Sequence, residues 1–218
     1  MDFSEIKGQD HVKRALEVAL TGGHSVLLIG PPGYGKTTLI QTLNELTNKE
    51  IISYDDIQYL RNGVTEAKQD LDDGKQIFIT IHPCPCGYFG TTIKSCSCDT
   101  EMIHNYRVRH TPGAILDRID IIIEVPVIRF KEMSTTRKGE SSEIVKERID
   151  IGIKYLPKVK DAKDESTIRL LESAVDRLGL SMRQYVNILS IAKTIAALDQ
   201  CAIVEARHIA EAIQYRGQ

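Results

Sequence analysis

Eight consecutive residues, Gly30-Pro31-Pro32-Gly33-Tyr34-Gly35-Lys36-Thr37, have the types and spacing needed to cradle a triphosphate. The glycines let successive backbone N–H groups curl around phosphate oxygens, Lys36 neutralises charge on the β- and γ-phosphates, and the Thr37 hydroxyl ligands Mg²⁺, with Thr38 beside it. A glycine-rich turn that binds nothing has a similar composition. Context argues for the phosphate loop: the apolar run Ser25 to Ile29 has the length of a strand, and Lys36 to Leu46 is helical in pattern. ATP and Mg²⁺ are therefore the expected ligands, with the helix N-terminus adding a favourable dipole.

Such chemistry needs acidic help: one carboxylate to hold Mg²⁺ and another to orient the attacking water. Asp55-Asp56, at the end of the strand-like Glu50 to Tyr54, supplies the candidate pair. The competing reading is a pair of loop aspartates capping the next helix. If Asp56 orients the water, it is one methylene shorter than a glutamate, and slow turnover follows.

Cys84-x-Cys86 and Cys96-x-Cys98 bracket a nine-residue loop. Four thiolates close a tetrahedral shell, which suits a structural Zn²⁺, and ligation would give order to a loop with almost no hydrophobic content. Four free thiols in the same loop are the alternative. Cys201 stands apart and is expected to be a small buried hydrophobe.

The elements that must position these groups follow from periodicity. Helices are expected over Asp10 to Leu20, Lys36 to Leu46 and Ile57 to Leu71, and strands over Ser25 to Ile29, Glu50 to Tyr54, Gln76 to Ile81 and Ile119 to Val127. Residues 82–100 read as an irregular loop, and no element is assigned between 101 and 118. After a basic, polar linker come four amphipathic helices, Ser142 to Leu156, Asp164 to Leu178, Ser181 to Leu198 and Val204 to Tyr215. The expected fold is α/β: a parallel P-loop sheet core over residues 1–130 with a zinc loop at 82–100, a linker at 131–140, and a C-terminal α-helical lid over 141–218.

A net charge of −2 gives no global reason for tight nucleic-acid binding. Lys94, Arg107, Arg109 and His110 form a local basic group, read as a solvated or subunit-contact face in preference to a phosphate-contacting patch; Tyr88, Phe89 and Tyr106 keep base stacking open. No membrane span or secretory leader is expected, and clustered cysteines suit a reducing, cytoplasmic setting.

These motifs, in order, resemble the ComM branch of the magnesium-chelatase-like AAA+ ATPases. The resemblance runs through Phe3 to Gln9, Gly22 to Thr37, Asp55-Asp56, Glu66-Ala67, Leu71 to Gly74, His82 to Tyr88, Tyr106-Arg107, Leu116 to Asp120, Leu180 to Arg183 and Ala212 to Arg216. It implies that Ile6, Gly8 and Gln9 border the adenine, that Asp55-Asp56 is the Walker B pair, and that His82 takes the sensor 1 position, where the family has Asn. It also implies that Arg118 is an arginine finger for a neighbouring subunit and Arg183 a sensor 2 residue closing over the nucleotide. Ordinary alternatives are an ion pair of Arg118 with Asp117 or Asp120, and a solvated helix-start Arg183.

The resemblance further implies ring self-association, with ATP hydrolysis driving movement between core and lid. It departs in three places: an amino-terminal Lon-protease-like domain, a long segment between phosphate loop and Walker B, and a pore-facing hairpin are expected to be missing, since only 18 residues separate Lys36 from Asp55. DNA translocation is thereby put in question and DNA remains an open partner. The second expectation is a weakly or non-hydrolysing ATP-dependent switch, which Asp56→Glu would separate from a motor. A P-loop kinase and magnesium insertion into a porphyrin rank below both.

Overall fold

The computed structural model describes residues 2–47, 50–55, 63–127, 139–162 and 164–216. At its centre is β1 (Val26–Ile29), apolar at every position because both faces and both edges are covered. β3 (Ile77–Ile81) and β4 (Ile121–Glu124) pair with β1 in parallel, and β2 (Ile52–Tyr54) pairs in parallel with β3, giving the order β2-β3-β1-β4. Parallel pairing requires crossovers, and helices supply them on both faces.

Side-chain alternation sorts each strand between two layers. Val26, Leu28, Phe78, Ile121 and Ile123 face one apolar core, shared with α1 (Asp10–Gly22), α2 (Lys36–Leu46) and the C-terminal helices. Leu27, Ile77, Ile79 and Ile81 face the other, closed by Ala67 of α3 (Val64–Asp72) and Ile115 of α5 (Gly113–Leu116).

Strand ends are tighter than the sequence pattern suggests. The expected strand from 119 to 127 is regular only over Ile121–Glu124, because Asp120 turns its carboxylate back to accept from the Ser25 N–H at 3.0 Å. Of the helix expected over 57–71, the described part is α3; the rest lies outside the described residues. Most of the expected linker does so too.

Two helices, the short α5 and the one before it, were not anticipated. α4 (Thr100–His110) is capped by the Asp99 side chain accepting from the Met102 N–H, and its last turn carries Arg107, Arg109 and His110. Charge placement along the helix dipole, with no apolar stripe, supports it locally.

The C-terminal part consists of α6 (Ser142–Tyr155), α7 (Glu165–Leu178), α8 (Met182–Leu198) and α9 (Ala206–Gln214). These helices form a single apolar core with the sheet layer: Val145, Ile149, Ile188, Ile191 and Ile195 are buried with Val12, Leu16 and Val26. Each such side chain contributes about 1.5–3 kcal/mol by leaving water. Ion pairs rim the contact. Arg14 of α1 meets Glu211 and Asp199, both at 3.0 Å, and Arg148 of α6 meets the buried Glu17 of α1. No helix among the described residues is long and apolar enough to cross a membrane.

Candidate nucleotide site and cysteine cluster

The phosphate loop leaves β1 at Gly30, whose N–H donates to the Ile81 carbonyl at 3.1 Å. A Cβ on Gly30 would stand 2.8 Å from the Val125 carbonyl oxygen, so only glycine fits between β1 and the end of β4. Gly33 and Gly35 both have φ near +80°, the left-handed conformation that glycine adopts without strain. Gly35 is the N-cap of α2, which points its first-turn N–H groups at the loop mouth.

Lys36 is buried, and its Nζ donates to the carbonyls of Gly30 at 2.7 Å and Pro31 at 2.9 Å. The ammonium thus lies inside the loop that it would help to fill with phosphate. Thr37 is exposed at the start of the helix. From the other side, the opening segment reaches in. Gln9, in a left-handed conformation, donates from Nε2 to the Tyr34 carbonyl at 3.1 Å, which brings the Ile6–Gly8–Gln9 turn against the loop.

Parallel pairing sets the remaining groups on one edge. Ile29 pairs with Ile81, so Gly30 and His82 leave the sheet side by side; Tyr54 pairs with Ile79, so Asp55 emerges beyond β3, about 10 Å from β1. Ligands of open parallel sheets bind at this edge. Asp55 is half-buried, and Asp56 lies outside the described residues. A cavity of about 570 Å³ opens here, lined by Gly30, Pro31, His82, Arg107 and Glu124 among others.

Arg118 and Arg183 are not at this edge. Arg118 precedes β4, donates from Nη1 to the Ala114 carbonyl and pairs through Nη2 with Asp72 at 2.8 Å, where α3 turns towards the start of β3. Its partner is Asp72, not the expected Asp117 or Asp120. Arg183 begins α8, which runs antiparallel to α1. Thr194 of α8 bonds His24 just before β1, and Asp199 beyond its end reaches Arg14. The first turn of α8 therefore lies about 16 Å along that helix from Thr194, on the side away from Asp199. There the charge of Arg183 acts on Asp120, whose carboxyl is raised by burial and lowered by the Ser25 N–H, Arg216 and Arg183. Arg183 is thus set away from the phosphate loop of its own chain, where the helical part packs on α1 and α2.

The cysteine loop begins directly after β3. Cys84, Cys86, Cys96 and Cys98 place their sulfurs within 4.8 Å of one another, with contacts of 3.4, 3.5 and 3.7 Å among the first three. A tetrahedral Zn²⁺ with ligand bonds of about 2.3 Å spaces its sulfurs by about 3.8 Å, close to this arrangement. Backbone N–H groups point at the sulfurs, Phe89 at Cys84 (3.3 Å) and Cys86 at Cys98 (3.4 Å). N–H groups of Tyr88 and Ser97 lower the Cys86 thiol to about 5, while burial pushes Cys98 up to about 12. A bound cation would offset that penalty by neutralising the thiolates, so the donor set fits a thiophilic metal.

The basic group expected beside it is differently used. Lys94 lies over the Tyr88 ring and Arg107 over the Phe89 ring, at 5.0 and 5.4 Å, whereas His110 is buried edge-on against Tyr106. Those aromatic rings seat cations within the chain. Cys201 is half-buried rather than buried, with its sulfur accepting from Arg207 at 3.0 Å. Sequence reasoning named Asp72 only within the segment Leu71 to Gly74 of the resemblance and gave it no role beside Arg118.

Comparison with known proteins agrees with this architecture. Residues 2–76 and 65–133 match the family described as Magnesium chelatase, subunit ChlI, and residues 127–216 match its C-terminal counterpart. The chain is 26% identical to the uncharacterized protein YifB of Escherichia coli and 26% identical to the competence protein ComM of Haemophilus influenzae, in each case over 99% of this chain and 60% of the relative. The aligned regions extend to 307 and 308 residues against 218 here, so these relatives carry internal segments that this chain lacks. The family match itself falls in two segments that overlap at 65–76, where α3 leads into β3. The chain spans about 60% of the length of these relatives and belongs to the magnesium chelatase ChlI family, of the AAA+ type.

Proposed function

We propose that the chain binds ATP·Mg²⁺ at Gly30–Thr38 and hydrolyses it at the contact between two copies of itself. Lys36 and the N-terminus of α2 take the β- and γ-phosphates, Thr37 and Asp55 hold Mg²⁺, and His82, beside Gly30, polarises the attacking water. Asp56 is assigned to orient that water. The observation that supports the reading is Arg118 pairing with Asp72 ahead of β4, at the sheet edge opposite Lys36. Arg118 is assigned to a neighbour's nucleotide, as is Arg183 at the exposed start of α8. A ring of such contacts follows, in which each site is completed from outside.

Because α1, α2 and the C-terminal helices share one apolar core, the moving unit is the whole chain against its neighbour. Zn²⁺ is the metal assigned to the four cysteines, in a structural role, which fits a reducing compartment such as the cytoplasm. DNA is the partner to test, since one relative is named as a competence protein.

The experiment is steady-state phosphate release by the zinc-loaded protein and its Lys36→Ala variant, with and without single- and double-stranded DNA. Turnover that vanishes in the variant supports the ATPase, and its rise with DNA supports a DNA-linked role. Binding of ATP without turnover above the variant overturns hydrolysis.

A second reading, an ATP-dependent switch that turns over weakly or not at all, is supported by the internal segments that the relatives carry and this chain lacks. Asp56→Glu separates the two: a large gain in turnover marks a degenerated motor.

A further inference from the structure

The cysteine loop meets the phosphate loop at Gly87. Gly87, three residues past Cys84, lies so close to Pro32 that a Cβ on Gly87 would stand 2.7 Å from Pro32 Cδ and 3.2 Å from Cγ, with His82 Cγ at 3.7 Å. The turn carrying Gly87 is closed by its own N–H donating to the Cys84 carbonyl at 2.9 Å, and Cys84 is fully buried among the four sulfurs. Pro32 is the half-buried crest of a loop that Lys36 braces at the Gly30 and Pro31 carbonyls and Gln9 at the Tyr34 carbonyl, so Gly87 is a further contact on its outer side.

We infer that the metal-held cysteine loop positions the phosphate loop, with Gly87 against Pro32 as the contact that transmits it, so that nucleotide affinity depends on metal occupancy. The inference rests on the ATP-binding reading above. Its physical basis is ordering: without the metal, residues 84–98 have few apolar contacts to hold them, and the backbone that abuts Pro32 loses its fixed place. Loop entropy is then lost on nucleotide binding instead of beforehand, and affinity falls. By linkage, nucleotide must tighten the metal by the same factor.

Gly90 supplies the control. It lies in the same loop with φ +75°, like Gly87 at +83°, but a Cβ there meets nothing within 4 Å. Gly87→Ala and Gly90→Ala therefore carry similar backbone strain and differ in the contact with Pro32.

The test measures affinity for a fluorescent ATP analogue, and zinc content, on the full chain and its variants. Expected are binding by the zinc-loaded protein, affinity at least tenfold weaker in Cys98→Ser, which loses zinc, and similarly weaker in Gly87→Ala with zinc retained, while Gly90→Ala stays within about twofold. Zinc affinity by chelator competition should rise in saturating ADP. Gly87→Ala that keeps zinc and binds like the parent, or zinc affinity unmoved by bound ADP, overturns the inference. If Gly87→Ala sheds zinc, the double variant Pro32→Ala/Gly87→Ala decides by zinc content: truncating Pro32 removes the clash, so return of zinc supports the contact and failure of zinc to return overturns it. Absence of nucleotide binding by the zinc-loaded parent overturns the ATP-binding reading itself.

Discussion

Arg118 pairs with Asp72 at 2.8 Å on the sheet edge opposite Lys36, and is still 26% exposed in its side chain. A surface ion pair of this kind is worth at most about 1 kcal/mol, so Asp72 aligns the guanidinium without trapping it. Arg118 thus stands away from the phosphate loop of its own chain.

Complementation tests this placement. Arg118→Ala and Lys36→Ala should each lose at least about 100-fold in phosphate release, since a trans arginine is worth about 10³–10⁵ in rate in related phosphoryl-transfer enzymes. Mixed together, they should regain activity, because the first keeps an intact loop and the second keeps Arg118. A mixture as inactive as its parts would place Arg118 outside the reaction.

The Glu17–Arg148 pair fastens α1 to α6. Burial raises the Glu17 carboxyl and Arg148 opposes it, with Glu17 only 5% exposed. Arg148→Ala leaves that carboxylate with Arg14 at 3.7 Å as its nearest cation. A loss of about 3 kcal/mol in urea unfolding is expected, recovered in large part by Glu17→Leu/Arg148→Met.

His24 makes stability depend on pH. Burial lowers its imidazole to about 4, and its Nε2 meets Thr194 Oγ1 at 2.9 Å in the neutral form; Asp120, at 3.9 Å from Nδ1, is too far for a hydrogen bond. The unfolded chain titrates this group near 6.5, so between about 6.5 and 4 it binds more protons than the folded chain, and stability falls as pH falls. The loss from pH 7 to pH 5 should be about 2 kcal/mol. In His24→Gln this part of the pH dependence should disappear from denaturation curves. An unchanged slope would mean that His24 titrates as an exposed residue.

Metal removal should open the cysteine loop locally. Lys94 is exposed between Cys86 and Cys96 and lies over Tyr88. After chelation, trypsin should cut after Lys94 at least about tenfold faster than in the zinc-loaded protein, while the α1–α8 region resists. Equal rates would show that the loop is ordered without metal.

The sequence by itself determined the local chemistry. Gly30 to Thr37 is a contiguous motif whose geometry depends on φ values that glycine permits, and the four cysteines announce a ligand set by type and spacing. The order of strands and helices was legible too, because apolar periodicity reports burial of an element's own faces. α4 was missed for the same reason: its side chains are mostly exposed, so it has no stripe, and only Asp99 and its basic last turn signal it. What only the tertiary structure decided is which edge each residue occupies. Parallel pairing put Gly30, His82 and Asp55 together. Packing of the C-terminal helices on α1 and α2 carried Arg183 to the far edge, and α3 supplied Asp72 to Arg118. These are long-range contacts between surfaces of similar apolar character, and no spacing within one segment encodes which of them meet.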